Sequence, residues 1–220
     1  ANEDIAATGD LDITESLILQ GQGPGVTTVD ANGLDRIFDV MGDAQLTLRN
    51  MTITGGASAQ GGAIYARGDV ILEDVVISDS SSSGAGGAVY AEKDLSLLRS
   101  SVTGNQAVDK GGAIYAAAAT VVNITESLIA GNSSDSFGGG VYIVTGVMEA
   151  VNATFSGNSA TEGGAVYVSA NAEALLTNVT VTANTATAAG GGLTNDSGTI
   201  TLRNTIVAGN LSSTDADLKG

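Results

Sequence analysis

The sequence contains no cysteine, no histidine and no tryptophan, and its only proline is Pro24. Without cysteine there are no disulfides, no thiolate metal sites and no cysteine nucleophile. The lack of histidine removes a side chain that often assists the paired carboxylates of inverting glycosidases. Aromatic residues make up only 4% of the chain, too few to fill a conventional core with rings. The hydrophobic residues, 43% of the chain and many of them small or β-branched, instead indicate a narrow and repetitive interior.

Positive charge is also scarce, since 8 lysines and arginines stand against 24 aspartates and glutamates and the formal net charge is −16. This balance excludes nucleic acid as a partner, because a phosphate backbone is bound by clustered cations. It also argues against anionic membrane surfaces. There is no run of 18 apolar residues, so no membrane-spanning helix is predicted. An acidic surface favours solubility and admits weakly bound calcium, and the sequence calls for no other cofactor.

A short motif recurs along the chain with a period of about 25 residues. It reads Gly-Gly-Ala-Ile-Tyr or a close variant, and its last position holds all the tyrosines of the chain: Tyr65, Tyr90, Tyr115, Tyr142 and Tyr167. An earlier copy, Arg36-Ile37-Phe38, lies one period before Tyr65 and is predicted to carry Phe38 in the ring position. A worn copy ends at Thr194. Repeats of this length indicate a solenoid, in which each unit buries its apolar face against its neighbours.

A second motif, out of phase with the first, is a short alternating strand followed by Gly-Asn or Ala-Asn, with the asparagines Asn105, Asn132, Asn158, Asn184 and Asn210. A third strand-like segment, such as Val70-Ile71-Leu72, lies between the two motifs. Three short strands per unit of about 25 residues, bounded by Gly, Asn, Ser and Asp, define one coil. The sequence therefore predicts an all-β right-handed parallel β-helix of about eight coils, in one domain that spans residues 1–220.

Alternation along the strands predicts which side chains face the interior. The residue before each tyrosine is expected to point inward, and the tyrosine outward or into a corner. The glycine pair suits a corner where coils approach closely and φ is positive. The asparagines suit bends that have left-handed dihedral angles and bond to neighbouring coils. Phe155, Ile129 and Val181 are expected to be buried in one column, with Thr154 and Thr180 exposed beside them.

The regularity of the repeat divides the domain into three parts. Residues 1–43 are predicted to form irregular first coils that cover the N-terminal edge, residues 44–210 the regular coils, and residues 211–220 a C-terminal tail. The loss of the repeat in this tail leaves open that the natural chain continues past Gly220. Asp215, Asp217 and Lys219 are expected to block strand pairing at that end, which favours a monomer. If these charges do not suffice, coils stack end to end.

The two motifs resemble those of known proteins. Gly163-Gly164-Ala165-Val166, together with Phe155-Ser156-Gly157-Asn158, is similar to the polymorphic outer membrane protein repeat. Residues 13–40 resemble the start of secreted bacterial β-helix proteins with a CSLREA-type signature, although the hexapeptide itself is absent, and Asn204-Thr205-Ile206-Val207-Ala208-Gly209-Asn210 is similar to their last coils. The resemblance implies a β-helix exported to the outside or surface of a bacterium, in some cases an adhesin, whose repeats carry no catalytic residues.

The aromatic column is the sharpest candidate site, and it comprises Phe38, Tyr65, Tyr90, Tyr115, Tyr142 and Tyr167. Outward rings at coil spacing would form a strip that stacks on sugars or grips a partner protein. The alternative is a ladder whose rings pack on one another and stiffen the corner, since like residues stack in solenoids for stability alone.

Three weaker patterns accompany it. Outward Thr/Ser pairs such as Thr52/Thr54 and Thr180/Thr182 form an array of the kind that binds ice, but pairs such as Val76/Ser78 and Leu128/Ala130 interrupt it and strand surfaces ordinarily carry these residues. Arg67-Gly68-Asp69 spells a cell-adhesion tripeptide at what is also an ordinary turn. The acidic residues of the first coils could gather as a calcium site or form a solvated acidic face: Asp30, Asp35, Asp39 and Asp43.

The sequence favours a structural or adhesive scaffold outside the cell or on its surface, without catalytic or metal-binding residues, whose flat faces bind carbohydrate, a host or cell-surface protein, or a second copy. The competing hypothesis is a polysaccharide lyase or hydrolase of the pectin-lyase-like fold. Such enzymes need converging carboxylates and a basic residue in a walled cleft, whereas connections such as Ser159–Glu162 are short. An ice-binding protein is a more distant third.

Overall fold

The computed structural model describes residues 9–117 and 120–220, and all regular elements in these ranges are β-strands. Residues 1–8, part of the predicted N-terminal cap, lie outside the described residues. The strands form three sheets, and strands with the same place in successive coils pair in parallel. The predicted all-β parallel solenoid is therefore confirmed.

Each sheet is named by its most obvious feature. The tyrosine sheet has nine strands in the described ranges: Leu11–Ile13, Phe38–Val40, Ile64–Ala66, Val89–Ala91, Ile114–Ala116, Val141–Ile143, Val166–Val168, Leu193–Asn195 and Leu218–Lys219. The wide sheet has fourteen: Leu17–Gln20, Thr28–Asp30, Gln45–Thr54, Asp69–Ser78, Leu95–Leu98, Ser101–Thr103, Thr120–Thr125, Leu128–Ala130, Gly146–Val151, Thr154–Ser156, Ala172–Thr177, Thr180–Thr182, Thr199–Arg203 and Ile206–Val207. The narrow sheet has six: Ala57–Ser58, Ser81–Ser82, Gln106–Ala107, Ser133–Ser134, Ser159–Glu162 and Thr185–Ala189.

The core lies between the sheets as stacked columns of like side chains. One column of the wide sheet passes through eight coils in unbroken register, as predicted: Leu17, Leu46, Val70, Leu95, Val122, Met148, Ala174 and Ile200. The residue before each tyrosine is fully buried, as are Phe155, Ile129 and Val181. Thr154 and Thr180, which were expected to be exposed, are half-buried because neighbouring coils cover part of each side chain.

The glycine pair makes the close corner that the motif predicts. Gly61 has φ of 60°. A Cβ on Gly62 would collide with the carbonyl oxygens of Gly87 and Ser81, both in the next coil. No side chain fits there, so the repeat needs glycine to let the backbones of successive coils approach.

The asparagine column forms a buried ladder. The Nδ2 of each asparagine donates to the Oδ1 of the next, at 2.9 Å for Asn105–Asn132 and for Asn158–Asn184. The same Oδ1 also accepts a backbone N–H, as between Asn132 N and Asn158. The predicted bonding is confirmed, but the left-handed residue is the one before each asparagine, for example Gly157 with φ of 66°. The asparagines themselves are not among the residues with positive φ, and their side chains are buried.

The division of each coil into strands differs from the prediction in two ways. The second and third predicted strands belong to one sheet, joined at a residue with positive φ such as Asn50 or Asp74. The segment Ser159–Glu162, predicted as a connection, is a strand of the narrow sheet. Its short alternation, with Ala160 buried, is too brief to distinguish from a turn in the sequence.

The two ends of the rod continue the same pairing. The strands Leu11–Ile13, Leu17–Gln20 and Thr28–Asp30, within the predicted irregular segment, pair in register with the following coil. Within the predicted tail, Leu218–Lys219 pairs with Leu193–Asn195 as a further strand of the tyrosine sheet.

Candidate functional site

Five tyrosine rings stack along the outside of the tyrosine sheet. Parallel pairing places each tyrosine directly beside the next, for example Tyr90 beside Tyr115. Ring centroids are 4.7 Å apart for Tyr90–Tyr115, 5.5 Å for Tyr115–Tyr142 and 5.1 Å for Tyr142–Tyr167, with interplanar angles of 22°, 2° and 16°. Tyr65 meets Tyr90 edge to face at 87°. The inner rings therefore cover each other's faces, and Tyr90, Tyr115 and Tyr142 remain half-buried.

Phe38 does not join this column. It pairs with Ile64 in the inward column and is buried, while Asp39 takes the place beside Tyr65. The spacing between Phe38 and Tyr65 is close to one period, which suggested that Phe38 lies beside Tyr65. The observed strand register instead pairs Tyr65 with Asp39, one position later in the sequence. Because Phe38 is apolar, it takes the inward position and buries its ring. Asp39 lies on the side of the sheet that carries Tyr65 and is also buried, beneath its ion pairs with Arg36 and Arg67.

The column of stacked tyrosines, Tyr65 to Tyr167, is called the tyrosine ladder. An ion-pair network caps its N-terminal end. Asp39 pairs with Arg36 and Arg67, and Arg36 also pairs with Asp10. The guanidinium groups of Arg67 and Arg36 lie 5.0 Å and 5.4 Å from the centroid of the Tyr65 ring. Cations over a ring face attract its electron-rich centre. Arg67, the first residue of the adhesion-like tripeptide, is thus engaged in the protein itself.

The phenol hydroxyls differ in their partners. Tyr65 donates to Glu92 at 2.7 Å and Tyr167 to Asp196 at 3.0 Å. Burial, together with these carboxylates, raises the pKa of both tyrosines. Burial raises the pKa of Tyr115 to about 12, and the neighbouring phenols add to the shift. Tyr65, Tyr115 and Tyr167 are accordingly neutral at physiological pH.

Phe137 and Lys110 extend the ladder sideways, which the sequence analysis missed. The Phe137 ring lies 4.8 Å from the ring of Tyr167, and the Lys110 Nζ lies 5.4 Å from that of Tyr142. Both residues immediately precede a Gly-Gly pair and form a bridge with each other. That shared place in the repeat was the available signal.

The outer face of the wide sheet carries the predicted Thr/Ser columns. Thr154 pairs with Thr180 and with Leu128, so hydroxyl and aliphatic side chains are mixed along the column. The Ser78 hydroxyl donates to Thr54 at 3.1 Å. These side chains are half-buried, and the register of the parallel strands aligns them in rows across the coils.

The four aspartates named as a calcium site are not assembled into one. Within residues 9–117 and 120–220, no group of three or more acidic side chains is placed to hold a metal ion. Asp39 is committed to Arg36 and Arg67, and Asp30 accepts the backbone N–H of Asn32 at 2.7 Å.

No helix among the described residues is long and apolar enough to cross a membrane.

Comparison with known proteins agrees with this architecture. A family model described as a right-handed beta helix region matches residues 36–211. No curated protein and no solved structure gives a match. The matched residues make up most of the chain and contain all the regular coils, so the chain belongs to the right-handed β-helix family.

Proposed function

We propose that this chain is a non-catalytic scaffold, located outside the cell or on its surface, that binds a partner along the flat outer face of the wide sheet. The main observation that supports this proposal is that this face has the longest strands, including the ten-residue strands Gln45–Thr54 and Asp69–Ser78. The tyrosine and narrow sheets offer shorter strands, such as Ile64–Ala66 and Ala57–Ser58.

The chemistry of the wide face indicates the class of partner. Its outer columns mix threonine and serine with aliphatic side chains such as Val76 and Leu128, which are half-buried in the middle coils, whereas Ile206 near one end is exposed. Rigid side chains lose little conformational entropy when a partner docks, which favours binding by a flat surface. Because the net charge of −16 repels anionic polymers, a neutral carbohydrate or a cell-surface protein fits best.

The tyrosine ladder supports the rod in this proposal and does not bind sugar by stacking. A sugar ring stacks on an exposed aromatic face, but Tyr90, Tyr115 and Tyr142 cover one another's faces at 4.7 Å and 5.5 Å. Stacked aromatic pairs add about 0.5–1.5 kcal/mol beyond their burial. The ladder therefore stiffens the corner.

The arrangement of charges supports a non-catalytic role. The family's fold is shared by pectin-lyase-like enzymes and adhesins, so activity depends on the site and not on the fold. Lyases acting on uronates need a basic residue that is free to take a proton. Six of the eight basic residues are instead in ion pairs in the described structure: Arg36, Arg49, Arg67, Arg99, Lys110 and Lys219.

The experiment measures binding of the purified chain to neutral polysaccharides and to intact cells. Leu128→Lys, at the centre of the wide face, should weaken the binding found by about tenfold, which corresponds to ~1.4 kcal/mol. The matched control is Ser133→Lys, in the same coil on the narrow sheet, which should leave binding unchanged. Circular dichroism confirms that both variants fold. Equal loss in the two variants would contradict the assignment of the face.

A parallel assay tests the absence of catalysis. Pectate and alginate, with and without calcium, should yield no unsaturated products. Robust release of such products that Arg99→Ala or Arg203→Ala abolishes would overturn the scaffold proposal in favour of a lyase.

A further inference from the structure

The three central tyrosines of the ladder stand in a geometry that has chemical consequences. Tyr90, Tyr115 and Tyr142 lie face to face, at centroid distances of 4.7 Å and 5.5 Å and interplanar angles of 22° and 2°. Tyr65 also touches Tyr90, at 5.1 Å, but its ring is turned by 87°. One chain thus contains stacked phenol pairs and a perpendicular pair at similar distances.

One-electron oxidation of a phenol, with loss of its proton, leaves a radical whose spin density spreads to the ring carbons beside the oxygen-bearing carbon. Two such radicals couple when the p orbitals of these carbons point at each other. Stacked rings direct their p orbitals toward one another. In a perpendicular pair the p orbitals of one ring lie at right angles to those of the other, which disfavours coupling between Tyr65 and Tyr90.

Exposure and hydrogen bonding also distinguish Tyr90, Tyr115 and Tyr142 from the other two tyrosines. Their rings are half-buried, so an edge of each reaches solvent, whereas Tyr167 is only 6% exposed. Tyr65 and Tyr167 donate their hydroxyl protons to Glu92 and Asp196. Within residues 9–117 and 120–220, the other three hydroxyls form no such bond to a side chain.

We propose that Tyr90, Tyr115 and Tyr142 form a site of oxidative cross-linking, at which a haem peroxidase and hydrogen peroxide join stacked neighbours into dityrosine. Each of two phenols gives up one hydrogen atom, as a proton and an electron. The two radicals form a carbon–carbon bond, and the hydrogens on the bonded ring carbons move to the oxygens and restore both phenols. The two hydrogen atoms removed reduce one hydrogen peroxide to two waters.

Such a bond links adjacent coils covalently. Residues Tyr90 and Tyr115 belong to successive strands of the tyrosine sheet, which backbone hydrogen bonds and side-chain packing hold together without a covalent cross-link. A cross-link would keep the coils in register under oxidising conditions outside the cell. This inference is independent of the proposed binding face.

The test treats the folded chain with peroxidase and hydrogen peroxide and maps the cross-links by mass spectrometry after trypsin digestion. Cleavage after lysine and arginine places Tyr65 in residues 50–67, Tyr90 in residues 68–93, and Tyr115, Tyr142 and Tyr167 in residues 111–203. In chains of monomer mass, residues 68–93 should be joined to residues 111–203 and not to residues 50–67. Chain unfolded in denaturant before oxidation should lose this selectivity.

Two variants separate the proposal from unspecific oxidation. Tyr115→Phe keeps the ring in the stack and should abolish the link between residues 68–93 and 111–203. Tyr65→Phe should leave that link unchanged. Oxidised but uncoupled tyrosines, links only between different chains, or equal coupling of residues 50–67 to 68–93 would each overturn the proposal.

Discussion

At the scale of single residues, each inward side chain packs between the equivalent side chains of the coils above and below it. Phe155 is fully buried between Ile129 and Val181 in one inner column of the wide sheet. Truncation would leave a cavity that adjacent coils cannot close, because backbone hydrogen bonds fix their spacing at roughly 4.8 Å.

We therefore expect Phe155→Ala to lower the free energy of unfolding by about 3–5 kcal/mol, measured by chemical denaturation. Its neighbour Thr154 faces outward, so Thr154→Ala should change stability by no more than about 0.5 kcal/mol. A Phe155→Ala protein as stable as the parent would show that the facing of this strand is wrong.

Ala183 carries a local backbone strain that glycine avoids at the same position before the other ladder asparagines. The position before each ladder asparagine has positive φ and usually holds glycine, as at Gly157, but here an alanine has φ of 56°. A left-handed alanine costs roughly 1–2 kcal/mol because its Cβ crowds the backbone.

Ala183→Gly should accordingly stabilise the protein by about 1 kcal/mol, after the extra entropy that glycine gains in the unfolded chain is subtracted. Gly157→Ala is the matched reverse substitution and should destabilise by a similar amount. Thermal or denaturant unfolding of the pair provides the measurement. Opposite signs are expected, and a loss in both variants would contradict the strain.

At the scale of elements, the asparagine ladder ties the coils together from within. From Asn132 to Asn210 each buried Oδ1 accepts two N–H groups, for example that of Asn158 from the backbone and Nδ2 of Asn132 at 3.0 Å and 2.9 Å. At the C-terminal end the carboxylate of Asp217 accepts the same two bonds from Asn210. The ladder is therefore fully bonded through its last coil.

Asn158→Ala would strand both donors of Asn132 in the core, and a buried unsatisfied group costs about 1–3 kcal/mol. We expect a loss of stability of about 2–5 kcal/mol for the two donors together. Asn178→Gly removes an exposed asparagine that donates to Asn152 and keeps its positive φ accessible, so it should have little effect. Denaturant midpoints compare the two, and equal effects would rule out a special role for the buried ladder.

The tyrosine ladder makes stability depend on alkaline pH. Burial raises the pKa of Tyr115 to about 12, above the value of about 10 in the unfolded chain. A raised pKa on an acidic group means that the folded state disfavours the charged phenolate. The resulting stability is present below pH 10 and falls as the pH rises from about 10 toward 12.

Chemical denaturation between pH 8 and pH 12 should show this fall, and Tyr115→Phe should make it shallower because the phenylalanine ring stacks without titrating. Lysine deprotonation acts equally on both proteins and cancels in their difference. Identical pH profiles would contradict a buried, stacked Tyr115.

At the scale of the whole molecule, the ends of the rod decide whether it assembles. The charges predicted to block the C-terminal edge have partners in their own chain, since Asp217 binds Asn210 and Lys219 pairs with Glu162 at 2.7 Å. Leu202, at an inner position of the last wide-sheet coil, is 41% exposed. Light scattering over a concentration series tests the prediction of a monomer, which growth of mass with concentration would contradict.

Much of the fold could be predicted because equivalent positions in successive repeats show which residues pair between neighbouring coils. The tyrosines, the inward aliphatic column and the asparagine ladder all recur once per coil, and stacked coils bring equal positions into contact. The residue whose facing was predicted wrongly lies where the repeat is less regular. Phe38 lies before the first complete motif, where one additional residue in a turn shifts the register and reverses its facing.

The sequence by itself determined the parallel solenoid and its main columns, because the period of the repeat can be read without any knowledge of distant contacts. Only the tertiary structure decided how neighbouring rings orient, that Arg36 and Arg67 close the ladder around Asp39, and that Phe137 packs on Tyr167. Those features depend on side chains from different coils meeting at a shared corner. A repeat predicts which residues stack, but ring orientation and ion pairing follow from the packing of the side chains around them.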